Sequence, residues 1–186
     1  GLHPGLPFDY YTELLAGLKR IQPSIHLKAF TAVEIFYYAK KFGMSVGDVI
    51  AKLHAAGLDS MPGGGAEIFA DRVRDLIAPG KERPEEWFHV HDTAHRMGIP
   101  THCTLLYGHV ETYEERVDHM LRLRDQHGQY QGSDVPAEAV HFEALSCPVA
   151  APLAYRRFPN LLYRRLPSRQ TARQPERVHS LTALGL

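Results

Sequence analysis

Three times along this chain a short apolar strand gives way to a glycine turn or a helix cap and then to an amphipathic helix, with strands near residues 26, 58 and 101. Serial units of this kind require a parallel sheet, because parallel neighbours need a crossover and the crossovers are right-handed helices. Ile25-His-Leu-Lys-Ala-Phe30 alternates as a strand does. Thr31-Ala-Val-Glu34 then reads as a capping box for a helix carrying Ile35, Tyr38 and Ala39 and closed by Gly43. Ser45 opens another helix through Val49, Ile50 and Leu53, and Gly57 closes it before the strand Leu58 to Met61. Thr101 to Tyr107 is the third strand, and Thr112-Tyr-Glu-Glu115 is a second capping box, for a helix with Val117, Met120 and Leu121.

The remaining helices are read from periodicity. Asp9 is the expected N-cap of a helix with Leu14, Leu15, Leu18 and Ile21 on one face and Pro23 as its stop. Ile68, Val73, Leu76 and Ile77 fall near helical spacing after the central glycines, and Pro84 to Met97 repeats helically before Gly98. The expected fold class is α/β, a partial TIM-like (βα) barrel, since helices extra to the crossovers fit a barrel better than a compact open sheet. No strand opens a G-x-G-x-x-G turn, which argues against a dinucleotide-binding Rossmann domain.

In such a barrel the ligand lies at the C-terminal strand ends. Gly63, Gly64 and Gly65 fall at that position, where glycine lets backbone approach a substrate and a following helix would aim free N–H groups at an anion. A glycine cluster without a phosphate-binding pattern also reads as a connector. Lys plus Arg and Asp plus Glu both number 21, so there is no electrostatic footprint for nucleic acid or an anionic membrane. No apolar run is long enough to span a bilayer and no signal peptide is visible, which leaves a cytoplasmic protein acting on a small molecule as the expectation. Cys103 and Cys147 are far apart and belong to no paired motif, against a disulfide framework, a zinc site or an iron–sulfur cluster held by this chain alone.

From His127 to Leu186 the composition shifts to seven arginines, four acids, six prolines and no lysine, without sustained helical or strand periodicity. The expected organisation is residues 1–126 as partial barrel and 127–186 as an atypical Arg/Pro-rich tail. A basic nucleic-acid-binding tail is one reading, but the arginines are scattered among apolar residues and no aromatic stacking module accompanies them. The other reading, which we favour, is a departure from the natural continuation of the domain.

Gly1-Leu-His-Pro4, His26-Leu-Lys-Ala-Phe-Thr-Ala-Val-Glu-Ile35, Gly57-Leu-Asp-Ser-Met-Pro-Gly-Gly-Gly-Ala-Glu-Ile68, Val73-Arg-Asp-Leu-Ile-Ala-Pro-Gly-Lys81 and Pro100-Thr-His-Cys-Thr-Leu-Leu-Tyr-Gly-His-Val-Glu111 closely resemble aminofutalosine synthase, a radical S-adenosylmethionine enzyme of menaquinone biosynthesis. The resemblance runs in order and in spacing from Gly1 to about Gln126. It implies a barrel in which a 4Fe–4S cluster cleaves S-adenosylmethionine to a 5′-deoxyadenosyl radical. The radical then adds to 3-[(1-carboxyvinyl)oxy]benzoate, and loss of a carboxyl group as bicarbonate gives aminofutalosine. Cyclic dehypoxanthinylfutalosine synthase and an enzyme of deazaflavin cofactor assembly share the glycine-turn and Gly-His-x-Glu segments; Lys28-Ala-Phe-Thr31 and Met61-Pro-Gly-Gly-Gly65 favour the first family.

Two departures accompany the match. The family's C-x-x-x-C-x-x-C loop is absent from this sequence, so a companion chain or another segment would have to supply it, and the isolated chain is expected to be inactive. The family's next strand and its Pro-Leu-x-Phe-His-Pro sequence are also replaced, by Gln129-Tyr-Gln-Gly-Ser-Asp-Val-Pro136 and the arginine-proline stretch, a change of composition that a shifted reading frame in GC-rich DNA would give. A metal-dependent barrel hydrolase drawing on the 12 histidines and a non-catalytic remnant are the competing readings.

The candidate binding residues each carry a second reading. Glu34 is placed by the resemblance at the adenosylmethionine site and by spacing in the cap of Thr31. Ser60, Gly64, Gly65 and Glu67 surround the glycine turn, with Ser60 also readable as a strand-end hydroxyl and Glu67 as a first-turn helix acid. Arg74, preferred to Arg72, offers a guanidinium for a carboxylate or a solvated helix arginine. Thr104, Tyr107 and His109 occupy alternate or terminal positions of the third strand, His109 on the rim, and His3 follows an earlier glycine-rich exit. His91 and His95 have the i, i+4 spacing of zinc ligands but lack the metalloprotease glutamate, so with His89 they are expected as surface or groove histidines of an outer helix.

Overall fold

The computed structural model describes residues 2–128 and the strand at 140–146. The elements are α1 (Phe8–Ile21), α2 (Ala32–Phe42), α3 (Val46–Ala55), α4 (Asp71–Ile77), α5 (Pro84–Arg96), β1 (Thr101–Tyr107), α6 (Tyr113–Gly128) and β2 (Val140–Ser146). β1 and β2 pair in parallel with Thr101 opposite Val140 and Tyr107 opposite Ser146. Two isolated parallel bridges extend this ladder, Met61 to Thr101 and Lys28 to Ser60. The main-chain bonds agree: His102 N–H donates to the Met61 carbonyl at 2.9 Å and Ala29 N–H to that of Ser60 at 3.1 Å. The expected strands near 26 and 58 are thus short extended segments in the expected order, and the ladder does not close into a barrel among the described residues.

One face of the ladder is the core. Leu27, Met61 and Cys103 are buried with Ile35 and Tyr38 of α2, Val49, Ile50 and Leu53 of α3, and Trp87, Val90 and Ala94 of α5. Each such side chain contributes roughly 1.5–3 kcal/mol. Both sequence-visible capping boxes form: Thr31 with Glu34, and Thr112 with Glu115. Ser45 caps α3 by accepting from the Asp48 N–H, and Gly43 ends α2 in the left-handed conformation.

Several expectations are corrected. α1 begins at Phe8 with Pro7 at its N-cap, so Asp9 lies in the first turn instead. It buries Tyr11 and Leu15, while Leu14, Leu18 and Ile21 are exposed, Ile21 at 82%. α4 begins only at Asp71, so a looped stretch that buries Ala66, Ile68 and Phe69 separates it from the glycines. His91 and His95 are not groove histidines. Both are buried, and both contact the Thr101 hydroxyl, at 2.9 and 2.8 Å, with the Trp87 ring stacked on His91 at 3.7 Å. Within the stretch from residue 127, α6 runs to Gly128 and β2 occupies 140–146. The stretches 129–139 and 147–186, with Cys147 and the arginines, lie outside the described residues.

Candidate active site

The C-terminal ends of the strand segments bring together Phe30-Thr31, the Gly63–Gly65 turn and the Gly108–Glu111 loop. Two non-glycine residues at this end have positive φ, Phe30 at 59° and Glu67 at 47°. Such conformations are uncommon and are kept only where surrounding contacts over-determine them.

The triple glycine is a packing knot. A Cβ on Gly63 would fall 2.7 Å from the His102 carbonyl oxygen and 2.8 Å from Cys103 backbone, so the turn presses directly on β1. One on Gly64 would meet the Thr31 methyl at 2.8 Å. Gly65, at φ +100°, faces the Val33 side chain and the Glu82 carboxylate. The Thr104 hydroxyl donates to the Gly63 carbonyl at 2.8 Å. The loop beyond is then held from a distance. Arg74, only 2% exposed, donates through Nη1 to the carbonyls of Gly65, Ala66 and Ile68 at 3.2, 2.6 and 3.3 Å, and through Nη2 to that of Glu82. Burial disfavours its charge, and nearby Glu82, Glu67 and Asp71 oppose that. An arginine stays ionised under such opposition.

His119 of α6 completes the knot. Its Nδ1 accepts from the Phe69 N–H at 3.2 Å and its Nε2 lies 2.9 Å from the Thr104 carbonyl. A carbonyl only accepts, so Nε2 carries the proton and the ring is neutral. Full burial pushes its pKa down to about 3, against the bond to Thr104, which raises it. Glu82 is the unusual member: it is 6% exposed, its Oε1 has no hydrogen-bond partner among the described residues, and burial raises its pKa above the ordinary carboxylate value.

The Gly108–Glu111 loop is built differently. Glu111 accepts from the N–H groups of Gly108 at 2.6 Å and His109 at 2.9 Å, and pairs with Arg116 at 2.6 Å. Burial opposes its charge, but these bonds and Arg116 hold its pKa below the ordinary value. The loop fixes the backbone of His109 and leaves its side chain exposed at the end of β1.

Against these contacts the sequence candidates separate. Glu34 takes the capping role, accepting from the Thr31 N–H at 2.9 Å and hydroxyl at 3.0 Å. Glu67 is not a first-turn helix acid; it precedes α4 and pairs with Lys81 at 2.6 Å. Arg74 serves main-chain carbonyls. Tyr107 turns toward the helices beside Ile68 and Val73, with Arg116 over its ring at 5.4 Å. His3 lies elsewhere, exposed, with Nδ1 accepting from the Gly5 N–H at 3.1 Å. Ser60 is buried with its hydroxyl 2.7 Å from His26 Nε2, and His109 stands at the rim. His26, Lys28, Glu82 and His119 were not among the candidates. The first two had a signal, the alternation of His26 and Lys28 with Leu27 and Ala29; the other two had none, because only the fold brings them to the turn.

The sequence matches the Radical SAM superfamily over residues 2–123. The chain belongs to that superfamily. It is 53% identical over 124 residues to aminodeoxyfutalosine synthase of Thermus thermophilus, covering 67% of this chain and 33% of that protein. The corresponding enzyme of Streptomyces coelicolor is 47% identical over 135 residues, 73% of this chain and 35% of the relative. A 5-amino-6-(D-ribitylamino)uracil–L-tyrosine 4-hydroxyphenyl transferase of Methanopyrus kandleri is 43% identical over 146 residues, 77% of this chain and 40% of the relative. The chain therefore spans between a third and two fifths of the length of these radical SAM relatives.

The iron–sulfur cluster implied by the superfamily does not fit the residues described. The single described thiol, Cys103, is buried against the helices on the core face of β1. One inert, buried sulfur is no donor set for a cluster that takes several exposed thiolates. No helix among the described residues is long and apolar enough to cross a membrane.

Proposed function

We propose that this chain forms the central strands of a TIM-like radical SAM barrel of the aminofutalosine synthase type. It shapes the acceptor end of a site whose cluster cysteines lie in a companion chain or another segment. The observation that carries the reading is the parallel succession of segments at 28, 60–61 and 101–107, with both glycine loops at one end, together with 53% identity to the Thermus enzyme over 124 residues. In this reading the acceptor is 3-[(1-carboxyvinyl)oxy]benzoate, S-adenosylmethionine is the co-substrate, and the product is aminofutalosine. Ser60 and His109 are proposed to meet the ligand directly, with the main chain of Gly64 and Gly65 beside them. Glu34, Glu67, Arg74, Thr104 and Tyr107 shape the surroundings through the contacts already described, and His3 lies at the margin. The family-like segment is proposed to extend through Ser146, in keeping with β2 and with the 146-residue match to the transferase.

That longer match favours one second reading, in which the acceptor chemistry is that of the tyrosine-dependent transferase. The test joins this chain to a polypeptide bearing the cysteine loop, reconstitutes the cluster anaerobically and supplies S-adenosylmethionine, reductant and either acceptor pair, with product identified by mass spectrometry. Aminofutalosine is the expected product. Formation of the 4-hydroxyphenyl adduct instead would establish the second reading, and neither product with an intact cluster overturns both. The chain without the cysteine loop is expected to yield no product.

A further inference from the structure

The ladder has two faces, and only one is the core. Met61 and Thr101 form a bridge on the helix side, where Met61 is buried and Thr101 meets the α5 histidines. Successive residues of a strand alternate faces, so Ser60 and His102 lie on the other side. Lys28 is bridged to Ser60 and therefore shares that side, and His26, two residues earlier, confirms it by reaching the Ser60 hydroxyl at 2.7 Å. This face thus carries an ammonium, a hydroxyl and two imidazoles.

Lys28 differs from the other groups here in having no carboxylate or carbonyl partner among the described residues, and it is exposed. Asp59, the acid nearest in sequence to Ser60, points the other way: its Oδ2 takes the Leu27 N–H at 2.7 Å and Lys19 of α1 at 2.6 Å. Glu143 stands in register with Thr104, three strands from Lys28 and so about 14 Å away at ordinary strand spacing. A face that gathers hydrogen-bond donors and one unpaired cation, with the near acid withdrawn, suits an anion.

The geometry points to an anion subsite formed by Lys28, Ser60 and His26, which takes the carboxylate of an aromatic acid. The inference rests on the proposed function for the identity of that acid, since the proposed acceptor is a benzoate. The ammonium supplies charge, and the Ser60 hydroxyl is free to donate to the anion when His26 Nε2 carries the proton and donates to the Ser60 oxygen. No bond is made or broken at the subsite; it orients the ring so that the remainder of the acceptor reaches the strand ends.

The test uses the full 186-residue chain without cofactor, carrying labelled histidine, and follows the His26 ring resonance by NMR as benzoate is added, with benzamide as the uncharged counterpart. The His26 signal is assigned from His26→Gln. Benzoate should shift the signal saturably and benzamide should not. Lys28→Gln should weaken benzoate at least about tenfold, while Lys28→Arg, which keeps the charge, stays within about threefold of the parent. Circular dichroism should confirm that each variant is folded like the parent. Equal response to benzamide, absence of a saturable shift, or undiminished binding by Lys28→Gln each overturns the subsite. Because no radical chemistry is involved, a positive titration survives failure of the product assay, and a negative one leaves that assay to stand alone.

Discussion

The loop from Gly63 to Ala70 and the loop from Gly108 to Thr112 both leave the C-terminal end of a strand segment, but the first depends more on buried contacts from other elements. The second is closed mainly from within by Glu111, three residues after Gly108, with Arg116 one turn on, and its one remote tie among the described residues is the exposed Arg72 of α4, which donates to the Val110 carbonyl at 2.9 Å. The first is held by Arg74 of the following helix, six to nine positions from the carbonyls it binds, and by two residues remote in sequence, Thr104 from β1 and His119 from α6, fifty positions from its partner Phe69. A locally closed loop forms with its own helix. A remotely closed one exists only once α4, β1 and α6 are all in place, so its geometry reports on the whole assembly.

The sharpest way to break this contrast is to remove Arg74. Arg74→Met leaves four carbonyls without a donor, and at about 1–3 kcal/mol for each buried group left unmade the loss should reach ~4 kcal/mol or more, read as a fall in the denaturant midpoint. If the loop were self-sufficient, the variant would lose no more than a surface substitution. His119→Ala removes two bonds and the ring stacked 4.0 Å from Phe69, and about 3 kcal/mol is expected, with hydrogen exchange rising in both the 66–70 loop and β1. Glu111→Ala should cost less, about 2 kcal/mol, with exchange rising only near residues 108–116.

Acid sharpens the comparison further. His119 is neutral in the fold, with a pKa near 3, and would take up a proton near 6.5 when unfolded. The unfolded chain then binds more protons between those values, so stability falls as pH drops through 6.5, by up to about 1.4 kcal/mol per pH unit for each such group. Buried His91, also pushed well below its ordinary pKa, adds to the same slope. His119→Gln should flatten that slope, measured as midpoint against pH, while Glu111→Gln, whose carboxyl is ionised in both states above the ordinary carboxylate range, changes the curve only around and below 4.5. Glu82 has the opposite sign. Its raised pKa makes ionisation unfavourable to the fold as pH rises through 4.5, so Glu82→Gln should give a small gain in melting temperature at neutral pH and none at pH 4.

The locally closed features were legible in the residues. Thr31 with Glu34, Ser45 with Asp48, and Thr112 with Glu115 are spacings of three that each satisfy free N–H groups within one turn, and the structure uses all of them. α1 misled because Leu14, Leu18 and Ile21 mark an apolar stripe whose orientation is set by what it packs against, and Tyr11 and Leu15 took the core instead. The α5 histidines misled for a related reason: polar type suggested surface, yet the Thr101 hydroxyl satisfies one nitrogen of each ring inside the core. β2 was hidden within a stretch whose composition is irregular, although Val140 to Ser146 pairs along its whole length with β1.

By itself the sequence determined the serial strand–helix order, the parallel sense, the caps and membership of the radical SAM superfamily, because these follow from periodicities and motifs within a few residues of one another. Only the tertiary structure decided that the triple glycine is pressed between β1, Thr31 and Glu82, that Arg74 and His119 hold the loop beside it, and that Lys28 stands with Ser60 on the face of the ladder away from the helices. Apart from the bonds of Arg74, which reach back six to nine positions, those relations depend on contacts between residues tens of positions apart, and no local preference encodes where a remote side chain will come to rest.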